Sequence, residues 1–178
     1  MNNEADLIKR LKNRKLRNEA FKELLDLYQE RLYWHIRKIV ITHENANDVL
    51  QNTFIRVFKG IQNFKANSTL HTWMYKIAYN ESLRFLKKYK PGTSLSFSEN
   101  NDYLKALTQD VYFNGSEIQL KLNRIISELS GKQQRVFQMK YFDDLNFREI
   151  SEILDISENT LKSSYYSAVK IIEKEILE

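Results

Sequence analysis

Between Asn63 and Lys90 the chain sets aromatic side chains that could stack on unpaired bases, Trp73, Tyr75 and Tyr79, beside cations that could follow phosphates, Lys76, Arg84, Lys87, Lys88 and Lys90. Single-stranded nucleic acid is held by this pairing, with each stacked base contributing roughly 1–3 kcal/mol. A small polar loop leads in, Lys65, Ala66, Asn67, Ser68 and Thr69, whose short side chains could reach base edges. Trp73, Met74 and Ile77 also sit at helical spacing, which suits core residues, so Trp73 stays open between packing and contact with nucleic acid.

Other chemistry finds little footing. His35, His43 and His71 fall in no H-E-x-x-H or similar spacing, there is no phosphate-binding Gly loop, and no carboxylate cluster stands out for two-metal work. With no cysteine, thiolate metal sites, disulfides and cysteine nucleophiles are excluded. No catalysis, cofactor or metal is expected.

One Pro and four Gly in 178 residues argue for helices over a turn-rich β fold. The opening residues MNNEADLIKRLKNRK are charged throughout and form no signal peptide, and no apolar run is long enough to span a bilayer. The expectation is a cytoplasmic protein without membrane insertion. Residues 1–90 hold 18 Lys and Arg against 9 Asp and Glu, whereas residues 91–178 hold 10 against 14. The first half therefore carries +9 and the second −4, which places the attraction for polyanions in the first half.

The elements that would position these residues are legible from periodicity. Leu7, Ile8 and Leu11 fit a turn or two of helix. From near Asn18 to Val40, Phe21, Leu24, Leu25, Tyr28, Leu32, Ile36, Ile39 and Val40 recur at steps of three and four, one buried helical stripe. His35 lies within it as a core residue. A second helix is expected from about Asn45 to Gly60, with Ala46, Val49, Thr53, Val57 and Ile61 inward. Its other side carries Asp48, Asn52, Ile55 and Lys59, flanked by Gln51 and Arg56. Ile55 is the apolar exception there, an ordinary exposed residue or the anchor of a protein-binding face. Asn67 or Ser68 is expected to cap a helix starting near Leu70, on which Lys76, Asn80, Arg84 and Lys87 share one face.

The segment from Pro91 to Gly115 is rich in Ser, Asn and Asp without sustained periodicity and reads as a flexible linker, with room for a short helical piece around Tyr103 to Leu107. Helices follow at about Glu117–Leu129, Gly131–Tyr141, Asn146–Leu154 and Glu158–Leu177. Ser130 with Gln133 and Asn146 with Glu149 have capping-box spacing. The last two helices meet at Asp155, Ile156 and Ser157, a helix-turn-helix in which Asp155 takes the place often held by Gly and tolerates a left-handed backbone. Leu161, Tyr165, Ala168 and Ile172 would be buried, leaving Lys162, Ser163, Tyr166, Ser167 and Lys170 outward to read a major groove. A plain helical hairpin would show the same spacing. The fold class is thus all-α, two small helical domains at residues 1–90 and 116–178, joined by the linker 91–115.

In this order the chain resembles a sigma factor of bacterial RNA polymerase, of the small extracytoplasmic-function (ECF) group within the sigma-70 family. The first domain is similar in a D-x-x-Q-x-x-F-x-x-V segment, matched by Asp48, Gln51, Phe54 and Val57. It is similar again in T-W-[LM]-Y-[RK]-I-A-x-N, matched from Thr72 to Asn80. The second is similar in LSGKQQRVFQMKYFDDLNFREISEILDISENTLKS, a pattern shared with other transcription regulators.

That resemblance implies two partners, core RNA polymerase and promoter DNA, and a role in recognising and melting promoters. Asp48, Gln51, Asn52, Ile55, Arg56 and Lys59 would bind the polymerase clamp helices. Phe64, Lys65, Asn67, Ser68, Thr69, His71, Trp73, Tyr75, Lys76, Asn80 and Arg84 would engage the minus-ten element, with the loop up to Thr69 capturing a flipped base. Ser157, Asn159, Thr160, Lys162, Ser163, Tyr166, Ser167 and Lys170 would meet the minus-thirty-five element. Many members of the group are held inactive by an anti-sigma factor, which makes one a candidate partner. Two positions depart from the pattern: Asn52 stands where an acid is common, and the last helix lacks the usual arginines, so its salt dependence on DNA should be small. From the residues alone, the rival is a stand-alone helix-turn-helix regulator with a sensing or protein-binding N-terminal half.

Overall fold

A computed structural model describes residues 3–89 and 116–177, and the chain divides after Tyr89 into two compact units. Every regular element among the described residues is helical. The expected linker, with its short helical piece around Tyr103, lies outside the described residues.

The first unit is built on α2 (Arg17–Val40), α3 (His43–Gly60) and α4 (Leu70–Tyr89), which pack on one another, with α1 (Asn3–Lys12) along α2. α2 follows the expected stripe, burying Leu24, Leu32, Ile36, Ile39 and Val40. Each such side chain contributes roughly 1.5–3 kcal/mol of burial free energy. His35 is also buried, its ring edge-on to Tyr75 at 4.9 Å. α1 is a full helix rather than a turn or two, because Leu7 and Leu11 both find the core and Arg10 pairs with Asp6 and Glu23 at 2.7 Å.

α3 starts at His43, two residues before the expected Asn45, because Thr42 is its cap and Thr42 Oγ1 accepts from Asn45 N. The chain reverses just before it through Ile41, at φ 72° and ψ −47°, where Thr42 N donates to Val40 O at 2.9 Å. This is a γ-turn, a strained conformation for a β-branched residue. α3 buries the expected Ala46, Val49, Thr53 and Val57 and also Leu50 and Phe54, so its inward face is wider than one stripe. Arg17 ties the end of α3 to the start of α2 by donating to the Phe58 carbonyl while its guanidinium lies over the Phe58 ring.

α4 begins where expected, but its cap is Thr69 rather than Asn67 or Ser68. Thr69 Oγ1 accepts from Thr72 N at 3.1 Å, and Glu4 of α1 accepts from Leu70 N at 3.1 Å. A side chain from a distant helix thus satisfies a first-turn N–H group.

In the second unit α8 (Glu158–Leu177) is central, packed by α5 (Glu117–Glu128), α6 (Gly131–Tyr141) and α7 (Phe147–Leu154). Ile125, Ile126, Leu129, Phe137, Ala168 and Ile172 form one buried cluster, while Ile150, Ile153 and Leu161 fill the corner between α7 and α8. The boxes at Ser130–Gln133 and Asn146–Glu149 are both closed, and a third, Ser116–Gln119, opens α5.

Asp155 ends α7 at φ 57° and ψ 43°, the left-handed conformation expected there. Glycine adopts it without a Cβ penalty, so Asp155→Gly is expected to stabilise this unit by about 1 kcal/mol. Chemical denaturation checks this, and a fall in midpoint would show that the Asp side chain makes a favourable contact outweighing the strain.

Candidate nucleic-acid and partner interfaces

The outward face of α3 carries Asp48, Gln51, Asn52, Ile55, Arg56 and Lys59, all exposed. Ile55 is 45% exposed, ringed by these polar side chains, while the same helix buries its other aliphatic residues. An apolar anchor in a polar rim is the composition of a protein-binding patch. Asn52 caps nothing beyond its own turn, donating to the Asp48 carbonyl at 2.9 Å.

The loop after the 3₁₀ turn Ile61–Asn63 is held at both ends and open in the middle. Lys12 Nζ donates to the Phe64 carbonyl at 2.6 Å, and Thr69 caps α4. Lys65, Asn67 and Thr69 are exposed and Ser68 is half-buried, with Ala66 at φ 55° making the bend between them. Pinned ends with exposed amide and hydroxyl groups give a small polar rim that can hydrogen-bond the edge of an unpaired base.

Burial corrects three aromatic expectations. Phe64, Tyr75 and Tyr79 are core residues; Tyr75, 1% exposed, packs on His35 and on His71, 4.5 Å between the latter ring centroids. Their rings are packed within the protein. His71 is half-buried between Tyr75 and Tyr28. Burial first, then the nearby Glu4 carboxylate, push the Tyr28 hydroxyl above its ordinary pKa. Trp73 is half-buried, tilted on Phe64 at 4.9 Å. It also lies against the α3 terminus at Gly60, where an added Cβ would come within 3.2 Å of Trp73 Cζ2. Packing therefore fixes its ring and leaves part of it accessible.

Lys76, Asn80, Arg84 and Lys87 are exposed on α4, as their spacing predicts. The unforeseen member is Glu81. Its Oε1 lies 2.6 Å from Arg56 Nε on α3 and 2.6 Å from Arg84 Nη1 on its own helix. Between α3 and α4 runs an open groove of about 280 Å³, lined by residues of both faces including Gln51, Asn52, Glu81, Arg84 and Lys88. The i,i+3 spacing of Glu81 and Arg84 is readable in the sequence; the approach of Arg56 is not, because it depends on how the two helices pack.

On α8, Asn159, Lys162, Ser163, Tyr166, Ser167 and Lys170 are exposed, with Tyr166 at 58%. Several have duties within the protein. Ser157 Oγ accepts from Thr160 N and so caps the helix, and it lies 2.8 Å from Thr160 Oγ1. Ser167 Oγ accepts from Gln133 Nε2 at 2.9 Å, and Lys162 pairs with Glu158 at 3.5 Å. Tyr166 adjoins Tyr165 and Phe147, with Lys162 and Lys140 each about 6 Å from the Phe147 ring, at 5.9 and 6.0 Å. The outward surface is thus aromatic and hydroxyl-bearing with two lysines. Among the described residues no group of His, Asp and Glu could hold a metal ion, and no helix is long and apolar enough to cross a membrane.

Comparison with known proteins places these faces in a family. Residues 24–91 match the model for sigma-70 region 2, and residues 119–172 match the model for sigma-70 region 4. The chain is 28% identical over 167 residues to the ECF RNA polymerase sigma factor SigW of Bacillus subtilis, covering 89% of each. It is 26% identical over 149 residues to the ECF sigma factor SigM of the same organism, covering 82% of this chain and 88% of that one. Its fold is that of CnrH, solved in complex with the cytosolic domain of CnrY, with a TM-score of 0.68 at 14% identity over 96% and 95% of the two chains. A second structure of the same fold is the sigma factor RpoE of Bartonella quintana, solved with the anti-sigma factor NepR, with a TM-score of 0.66 at 18% identity over 88% and 96%. The chain belongs to the sigma-70 family, as a sigma factor of the ECF group.

Proposed function

We propose that this sigma factor binds core RNA polymerase through the outer face of α3, reads and melts the minus-ten element with the loop 65–69 and α4, and meets the minus-thirty-five element with α8. It acts in the cytoplasm with the polymerase and performs no catalysis of its own. The observation that carries the reading is Ile55, an apolar side chain left exposed in a polar ring on the unit that also bears the basic face of α4. A protein partner would give this side chain an apolar contact within its polar rim.

On the DNA side, a base flipped from the non-template strand loses a few kcal/mol of stacking, which contacts in the loop must offset. Asn67 and Ser68 offer the donors and acceptors for that, Trp73 the accessible part of a ring, and Lys76, Asn80 and Arg84 the backbone contacts. In the second unit Lys162, Ser163, Tyr166, Ser167 and Lys170 meet the groove, with Ser157, Asn159 and Thr160 at the entry of the helix. Because the C-terminal half is acidic overall, the polymerase is needed to hold α8 near DNA. CnrH and the Bartonella RpoE were each solved with a second protein bound, CnrY and the anti-sigma factor NepR. An inhibitory protein of this kind is a further partner in this reading.

Two experiments test it. Selection of genomic fragments with the protein alone and with added core enzyme should enrich specific sequences only when core is present; specific enrichment by the protein alone would favour a stand-alone regulator. Asn67→Ala should change the base preferred at one position of the minus-ten element by about tenfold, from loss of one or two hydrogen bonds. Unaltered selectivity across randomised promoters would remove the loop from base reading.

A further inference from the structure

We propose that Glu81 controls how available Arg84 is to DNA, with Arg56 deciding the balance; this rests on the reading that α3 meets polymerase and α4 meets promoter DNA. A single carboxylate oxygen serves both arginines, at 2.6 Å each. The Glu81 side chain is only 11% exposed, whereas those of Arg56 and Arg84 are 52% and 60% exposed. The acid is thus largely withdrawn from water with both cations against one of its oxygens, while each cation keeps most of its surface in water.

Such an arrangement makes the two arginines competitors. A carboxylate removed from water depends on its cations for compensation, and when one is removed it leans harder on the other. With Arg56 present, Glu81 is satisfied from the α3 side and the remaining guanidinium nitrogens of Arg84 are free to meet a phosphate. Without Arg56 the acid closes on Arg84 alone, and a phosphate must compete against an undivided negative charge. The other charged groups in the groove, Asp48 and Lys88, are of opposite sign, so the balance falls to the three-residue cluster. Arg56 lies on the polymerase face and Arg84 on the DNA face, and Glu81 is the residue through which a change at one is felt at the other. It is a positioning residue for promoter binding.

The test is a suppressor experiment with full-length protein, a saturating concentration of core RNA polymerase, and a promoter fragment selected with the wild-type holoenzyme. Arg56→Ala is expected to weaken promoter binding about threefold to tenfold under these conditions, the usual range for coupled neighbours. Adding Glu81→Gln, which keeps the shape and removes the charge, should restore binding to within about twofold of wild type. It should not restore the affinity for core that Arg56→Ala loses. Glu81→Asp, which keeps the charge, should give no rescue of promoter binding. Melting temperatures of all variants monitor the fold, and rescue by a merely structural residue is not expected. If the double variant binds promoter no better than Arg56→Ala, or if Arg56→Ala alone has no effect at saturating core, the proposal is overturned. If Arg84→Ala leaves promoter binding unchanged, the DNA face of α4 is itself wrongly assigned and the proposal goes with it.

Discussion

Replacing Ile55 with Asp is expected to lower affinity for core RNA polymerase by about 3 kcal/mol, roughly a hundredfold, with little change in folding stability. Ile55 is exposed in the free protein, so the substitution disturbs no core and costs the helix only a propensity difference of a few tenths of a kcal/mol. In the complex the same position would be desolvated, and a carboxylate there would be an unpaired buried charge. Ile55→Ala removes apolar contact without adding charge and is expected to cost about tenfold. Titration of labelled core enzyme separates the three proteins, and circular dichroism confirms that each is folded. Equal affinities for wild type, Ile55→Ala and Ile55→Asp would take α3 out of the interface.

The second large effect is on the fold of the second unit. Leu161→Ala empties a fully buried position at the corner where α7 turns into α8, and a deletion of this kind costs about 2–5 kcal/mol. A unit of this size has a total stability of only about 3–9 kcal/mol, so the loss is a large part of it. Thermal melting of the full chain should show an early transition for this unit. Promoter activity that depends on the upstream element should fall with it. Ser163→Ala, one turn-face away and exposed, should leave melting unchanged while altering promoter choice. Matching melting curves for Leu161→Ala and wild type would contradict the packing assigned to the corner.

What could be read in the chain before folding divides along physical lines. Local signals held well: Ser130 with Gln133 and Asn146 with Glu149 close as capping boxes, and Asp155 adopts the left-handed turn, because each depends on residues three or four apart. The outward sides of α3 and α8 were legible because spacing states which residues share a face. Spacing put Lys76 and Asn80 outward but could not tell that Tyr75 and Tyr79 turn inward, since a ring with a polar tip suits either side of a helix. The cap at Thr69 was missed because three adjacent polar residues could each serve. Glu4 at Leu70 and Arg56 at Glu81 were beyond reach for a different reason: each joins residues distant in the chain, and only the packing of helices brings them together.

Promoter-directed transcription tests the central claim most directly. Purified core RNA polymerase, supplied with this protein and a library of genomic promoter fragments, should produce discrete transcripts that begin a fixed distance downstream of a shared two-part sequence. Core enzyme alone should produce none of them, and Ile55→Asp should abolish them. Absence of any transcript above the core-alone background, with the protein folded and the polymerase active on a control sigma factor, would contradict the account.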